Sequence, residues 1–209
     1  MNRLYTSKVV THHSVTPQDW DQKKTVDLIL LSHQQRGLAY DGNIAYHFLI
    51  GKDWTYQGRP MNSVGYHAGN WLINISSVAI CLAGNFNVDK PTKYQGKELV
   101  RLINEIRSKY SLKNDALKLH REIHATACPG MNITKDYILG LLSADQGSLL
   151  SRVNEALKIC GDDPNRSVGT LTVSRWWQNR VVKGEIKDFQ DLVNKIKWHQ
   201  QNHRYPHDI

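Results

Sequence analysis

Two residues define the chemistry open to this chain. In the stretch LHREIHATACPG, residues 119–130, His120 and Cys128 stand eight positions apart, with small residues before the cysteine and Pro-Gly after it. An imidazole nitrogen and a thiolate sulfur are both good zinc ligands, and the intervening loop is long enough to fold the second back onto the first. A third ligand has to come from elsewhere. The THHS stretch near the N-terminus offers it, where Val9 and Val10 run apolar into His12 and His13. A catalytic zinc keeps three protein ligands and an open position for water, so the expected set is His12, His120, Cys128 and water, the inventory of metal-assisted hydrolysis. Taken alone, the same spacing also fits a buried cysteine and a satisfied core histidine.

The elements that must position these residues follow from periodicity. Residues 8–12 read as a short strand with His12 near its C-terminal end. Thr16-Pro17 has the form of a helix start, and Val26, Ile29, Leu30 and His33 recur at helical spacing until Gly37. IAYHFLI, residues 44–50, reads as a strand followed by the turn Gly51-Lys52-Asp53. In SVGYHAGN, residues 63–70, glycines on either side of Tyr66 and His67 predict a sharp turn that approaches a ligand closely. VAICL, residues 78–82, is a continuous apolar run and predicts a central strand buried on both faces, with Cys81 in the core. Leu99, Leu102, Ile103, Ile106 and Tyr110 mark a helix over 92–110. A short strand over 116–119 delivers His120 to the sheet edge, and a further helix covers 133–142. Strands alternating with long helices predict an α/β fold, a central sheet flanked by helices.

The character changes at the polar stretch 143–147, which predicts a domain boundary between 1–144 and 145–209. Leu149, Leu150, Val153, Ala156, Leu157 and Cys160 share one helical face, and Phe189, Leu192, Val193 and Ile196 share another. Between them lie a loop over 161–169 and a short segment with Trp176 and Trp177, ending at Gly184. This is a small C-terminal helical domain with a core of marginal size.

With 209 residues, 40% hydrophobic and 22% charged, the chain has a globular composition. No apolar run approaches the roughly 20 residues of a membrane span. The first residues, MNRLYTSKVVTHHS, lack the apolar core of a secretory leader, so synthesis in the cytoplasm is expected. Cys81, Cys128 and Cys160 cannot all pair and predict no disulfide framework. A net charge of +8 favours an anionic partner such as nucleic acid, an acidic membrane surface or an acidic wall polymer.

Taken together and in this order, VVTHHS, IAYHFLIGKDWTYQGRP, VGYHAGN, VAICLAGNF and LHREIHATACPG resemble the zinc-dependent N-acetylmuramoyl-L-alanine amidases of the amidase-2 and peptidoglycan recognition protein superfamily, phage lysozyme-amidases in particular. The resemblance spans roughly residues 8–140 and implies a central mixed sheet. It implies Zn2+ held by His12, His120 and Cys128, with His13 turned away because neighbouring strand residues face opposite sides. Tyr46 matches the tyrosine that positions water and substrate carbonyl. Thr126 stands where some phage enzymes have lysine, so it can donate a hydrogen bond to an oxyanion but brings no positive charge. His67, with Asn70 in the same motif, matches the substrate groove, with stabilisation of the turn over residues 65–69 as the equal alternative for His67, while His47 and His124 are left structural. Some relatives carry a glutamate in the strand represented by VAICL, and this chain has Cys81 instead.

The implied reaction is hydrolysis of the amide between N-acetylmuramic acid and the L-alanine of the stem peptide. The implied partner is bacterial peptidoglycan, with acidic wall polymers as a further ligand and no nucleic acid. A phage endolysin, held in the cytoplasm and reaching the wall by holin-type release, fits this best. A cytoplasmic wall-recycling amidase and a recognition protein that binds peptidoglycan without hydrolysing it are the alternatives. Trp176, Trp177 and Arg180 are expected to bind the wall through sugar stacking and charge, while the helical spacing of the tryptophans expects at least one of them in the core of the small bundle. GTLTVSRWWQNR as part of a helix-turn-helix DNA reader fits poorly, because the preceding helix and turn lack the required form.

Overall fold

The computed structural model describes every residue except Leu4, Tyr40, Gly169, Thr170 and residues 203–209. It divides into two compact units, 1–141 and 142–209.

The first unit is built on a five-stranded mixed sheet of order β3-β2-β4-β1-β5. Its strands are β1 (Lys8–His13), β2 (Phe48–Ile50), β3 (Thr55–Gln57), β4 (Ser77–Leu82) and β5 (Leu117–Leu119). β1 runs parallel to both β4 and β5, β2 runs parallel to β4, and only β3 is antiparallel. Every residue of β4 is buried, as is all of β1 after Lys8, which is what a sheet covered on both faces requires and why these strands read as apolar runs.

The flanking helices are α1 (Gln22–Gln35), α2 (Trp71–Asn74), α3 (Lys93–Tyr110) and the first part of α4 (Lys135–Ser151). α3 starts with a capping box in which Thr92 accepts from the Gln95 amide and the Gln95 side chain accepts from Thr92. Gln95 Nε2 also donates to the Ala83 carbonyl at 2.8 Å, tying the helix start to the end of β4. α1 begins later than Thr16-Pro17 predicts: Asp21 is its N-cap, accepting from Lys24 N at 2.8 Å. The Thr16 hydroxyl is instead paired with Ser14 at 2.7 Å.

The strand expected over 44–50 is regular only at its end. Residues 45–47 form bends held by histidine side chains: Ala45 N donates to His33 Nδ1, and Ala79 N of β4 donates to His47 Nδ1, both at 2.9 Å. Buried imidazoles thus replace part of the ladder. Arg59, 3% exposed, clamps the same region with a fork onto Asp41 at 2.7 and 2.9 Å and a bond to the Ile44 carbonyl at 2.9 Å.

The second unit contains α5 (Val153–Ile159), α6 (Val173–Val182) and α7 (Phe189–Asn202). Its core is Val153, Ala156, Leu157, Val173, Trp177, Val181, Leu192, Val193 and Ile196, so the two helical faces read from the sequence do meet. An antiparallel pair, β6 (Ser167–Val168) with β7 (Leu171–Thr172), interrupts the expected loop, whose end at Gly169 lies outside the described residues. The two units divide inside α4, which continues through 143–147.

Candidate metal centre

The topology brings the three sequence-predicted ligands together. β5 lies beside β1 with Thr11 opposite Leu119, so His12 and His120 occupy the carboxyl ends of neighbouring parallel strands. Their ring centroids are 4.4 Å apart. After His120 the chain folds back and closes with Arg121 N donating to the Cys128 carbonyl at 2.9 Å. The Arg121 guanidinium holds the far side of the loop through the Gly130 and Ile133 carbonyls. Gly130 has φ +94°, and a Cβ there would sit 2.4 Å from the Phe86 carbonyl carbon, so the corner needs glycine. Cys128 Sγ accepts from His13 N at 3.3 Å and lies 3.8 Å from His12 Nδ1. One ligand atom from each of His12, His120 and Cys128 falls within 4.8 Å of the others.

These residues fit a zinc ion. His120 Nε2 is buried with no hydrogen-bond partner among the described residues, an expensive condition that a cation would relieve. Burial holds the His12 and His120 imidazoles below their ordinary pKa, leaving neutral rings with lone pairs to give. Burial also pushes the Cys128 thiol up to about 11, partly offset by the His13 amide. A bound cation would favour the thiolate directly and would couple metal uptake to proton release at this sulfur. Two imidazoles and one thiolate make a soft, three-ligand set of the kind zinc prefers.

The remaining candidates separate. His13 faces away, its Nδ1 accepting from Phe86 N at 3.2 Å, as strand alternation requires. Tyr46 is half-buried with its ring 5.2 Å from that of His12. Burial pushes its hydroxyl well above the ordinary value, with the Cys81 and Cys128 sulfurs adding to the shift. Thr126 Oγ1 accepts from Cys128 N at 3.2 Å, which leaves the hydroxyl proton to be donated. Cys81 is fully buried, and burial holds its thiol well above the usual range, so it offers no base.

His67 is placed differently from a groove residue. It is buried, with Nδ1 2.9 Å from His12 Nε2 and Nε2 3.1 Å from Ser77 Oγ, so both nitrogens face protein. Asn70 caps α2 by accepting from Ile73 N at 3.3 Å. His47 is buried and bonded to backbone at both ring nitrogens. His124 is exposed and stacks on His120 at 5.9 Å.

In the second unit, Trp177 is fully buried in the core and presents no face for a sugar, because α6 turns its apolar stripe inward at that position. Trp176 is half-buried with the Arg180 guanidinium 4.1 Å from its ring centroid, while Trp198 is 51% exposed. Reading the sequence overlooked Arg121 and Ser77. Arg121 adjoins a predicted ligand and was open to notice; nothing in the spacing around Ser77 points to it.

Comparison with known proteins agrees with this geometry. The family described as N-acetylmuramoyl-L-alanine amidase (Amidase_2) matches residues 2–131, a span that holds His12, Tyr46, His67, His120, Thr126 and Cys128. Peptidoglycan-recognition protein SC2 of Drosophila melanogaster is 33% identical over 137 residues, 62% of this chain and 71% of that protein. Among solved structures, the N-acetylmuramoyl-L-alanine amidase LysC from Clostridium intestinale is 34% identical with a TM-score of 0.56, covering 66% of this chain and 85% of its own. PGRP-SA of Apis mellifera is 26% identical with a TM-score of 0.55, covering 65% and 84%.

Proposed function

The chain belongs to the N-acetylmuramoyl-L-alanine amidase family, and from that premise we propose that it is a zinc-dependent hydrolase of peptidoglycan, cleaving the amide between N-acetylmuramic acid and L-alanine. The observation that carries this reading is the convergence of His12, His120 and Cys128 around a buried imidazole nitrogen that has no hydrogen-bond partner among the described residues.

His12, His120 and Cys128 would hold the zinc, and their summed charge as neutral, neutral and thiolate leaves the loaded site cationic. When bound there, zinc supplies Lewis acidity that polarises an amide carbonyl and acidifies a water. The protein's own part is to orient the substrate and receive charge. Thr126 donates its hydroxyl proton toward the developing oxyanion, its oxygen being oriented by the Cys128 amide. Tyr46, kept protonated by burial and with its ring 5.2 Å from that of His12, would act as a second neutral donor. Neither brings positive charge, so this chain relies on the metal for more of the electrostatic stabilisation than a relative with lysine at position 126 would.

The endolysin role is supported by the similarity to an endolysin amidase, LysCS from Clostridium intestinale, 34% identical with a TM-score of 0.56 and covering 66% of this chain and 84% of its own. In that role the enzyme would reach the wall from the cytoplasm by holin-type release. The second unit would hold it on the wall through Trp198, Trp176 and Arg180, and the net charge of +8 suits acidic wall polymers. The similarity to recognition proteins favours a second reading, binding without hydrolysis; the retained thiol of Cys128 weighs against it. Incubation with purified peptidoglycan separates the two. An amidase liberates new L-alanine amino groups in step with added zinc, whereas a recognition protein sediments with the wall and liberates none.

A further inference from the structure

The hydrogen bonds behind His12 have a direction that can be worked out from one end. Ser77, the first residue of β4, is fully buried and donates its hydroxyl to the Ile73 carbonyl at 2.5 Å. A carbonyl only accepts, so the single hydroxyl proton is committed there. Toward His67 Nε2, 3.1 Å away, Ser77 Oγ can therefore only accept, and Nε2 must carry a proton. A neutral His67 then has a bare Nδ1, which faces His12 Nε2 at 2.9 Å and accepts from it. With its proton on Nε2, His12 keeps a lone pair on Nδ1, the nitrogen 3.8 Å from Cys128 Sγ.

We propose that the chain from the Ile73 carbonyl through Ser77 and His67 sets the tautomer of His12, so that Nδ1 is presented as the metal donor. His67 and Ser77 are thus positioning residues for the metal centre. The relay is itself held rigidly. Asn74 Oδ1 accepts from both His67 N and Ala68 N, at 3.1 and 2.9 Å, and Arg3 donates to the Ser77 carbonyl at 2.5 Å. Were the His67 proton moved to Nδ1, two N–H groups would confront each other unless His12 gave up its own Nε2 proton and placed it on Nδ1, where it blocks the metal. A partner fixing ring orientation and tautomer is the usual means by which a protein tunes an imidazole ligand.

The role toward zinc rests on the amidase reading; the tautomer does not. Long-range 1H–15N correlation on metal-free, full-length protein reads both rings directly. The expected result is Nε2–H with bare Nδ1 for His12 and for His67. A proton on Nδ1 of either ring overturns the proposal. The second measurement is zinc affinity by competition with a chromophoric chelator. Ser77→Ala is expected to weaken zinc about 10- to 100-fold, the usual cost of losing an outer partner, and Ser77→Thr to recover most of it. Equal loss in both variants, or none in Ser77→Ala, overturns the orienting role. A wild-type protein that takes up no zinc at all sinks the amidase reading, while the tautomer assignment still stands or falls on the nitrogen signals.

Discussion

Cys128 Sγ lies 3.8 Å from His12 Nδ1 although 116 positions of chain separate them. Nothing local brings them together: β1 delivers one, and the loop after β5 folds the other back across it. This sulfur and nitrogen form one edge of the proposed zinc site. Replacing Cys128 with serine keeps the size of the side chain but removes the thiolate. The variant is expected to retain its circular dichroism spectrum and bind far less than one zinc per chain. Loss of an outer partner alone costs about 10- to 100-fold, so loss of a ligand should lower hydrolysis by more than about 100-fold. Full activity with full zinc occupancy in Cys128→Ser would show that the metal sits elsewhere.

Tyr46→Phe and Thr126→Val each remove one neutral donor without touching a ligand. Both are expected to keep zinc while kcat falls by about 100-fold, the lower end of the range for losing an oxyanion donor. Thr126→Ser should recover most of the rate. Steady-state kinetics on soluble muramyl peptides check this, and an unchanged kcat in Tyr46→Phe would reduce that residue to a packing aromatic.

Stability of the metal-free protein should fall on acidification. Burial lowers His33 from 6.5 to about 4 and His47 from 6.5 to about 3. Between these values and 6.5 the unfolded chain binds protons that the folded one refuses, so stability drops as pH falls through that window. Each histidine contributes up to about 1.4 kcal/mol per pH unit; the loss from His33 levels off below about pH 4 and that from His47 below about pH 3. Urea unfolding at pH 7, 5.5 and 4.5 gives the slope, and a midpoint that does not move would mean that these rings titrate in the folded protein as they do in the unfolded chain.

Val15 has φ +62°, an unusual conformation for a β-branched residue, and is 59% exposed. The left-handed region costs an L-residue about 1–2 kcal/mol, and glycine returns about 0.5–1 kcal/mol of that as chain entropy. Val15→Gly is therefore expected to stabilise the protein by about 0.5–1 kcal/mol in urea titration. A loss of stability would mean that the valine side chain makes contacts worth more than the strain.

The second unit separates core from surface. Trp177→Ala empties a fully buried site and should cost that unit about 3–5 kcal/mol. Trp198→Ala changes a side chain that is half exposed, so the fold should persist while sedimentation with peptidoglycan weakens. Unchanged sedimentation would remove Trp198 from the proposed wall-binding surface.

Much of this was legible before the structure. VAICL and the helical stripe of α3 are buried on the faces their periods indicate, and VVTHH alternates so that only His12 can join His120. The failures have physical causes. IAYHFLI contains two residues, Ala45 and His47, whose amide and imidazole are drawn into side-chain bonds with His33 and Ala79, and so only its last part stays a strand. Thr16 is not the helix cap, because its hydroxyl pairs with Ser14 and α1 starts only behind Asp21, whose carboxylate accepts from Lys24 N. Two adjacent tryptophans on α6 cannot share one face, and Trp177 took the core. For His67 the motif left a groove role and a turn-stabilising role open, because spacing shows neither the depth of a side chain nor the Ser77 hydroxyl behind it.

The most direct test is mass spectrometry of what purified peptidoglycan releases, comparing protein stripped with a chelator, the same protein reloaded with zinc, and a zinc-treated His120→Ala variant. The account expects free stem peptides beginning with L-alanine from the reloaded protein alone, with one zinc per chain. Intact peptidoglycan beside a fully zinc-loaded protein, or stem peptides from the stripped one, would contradict it.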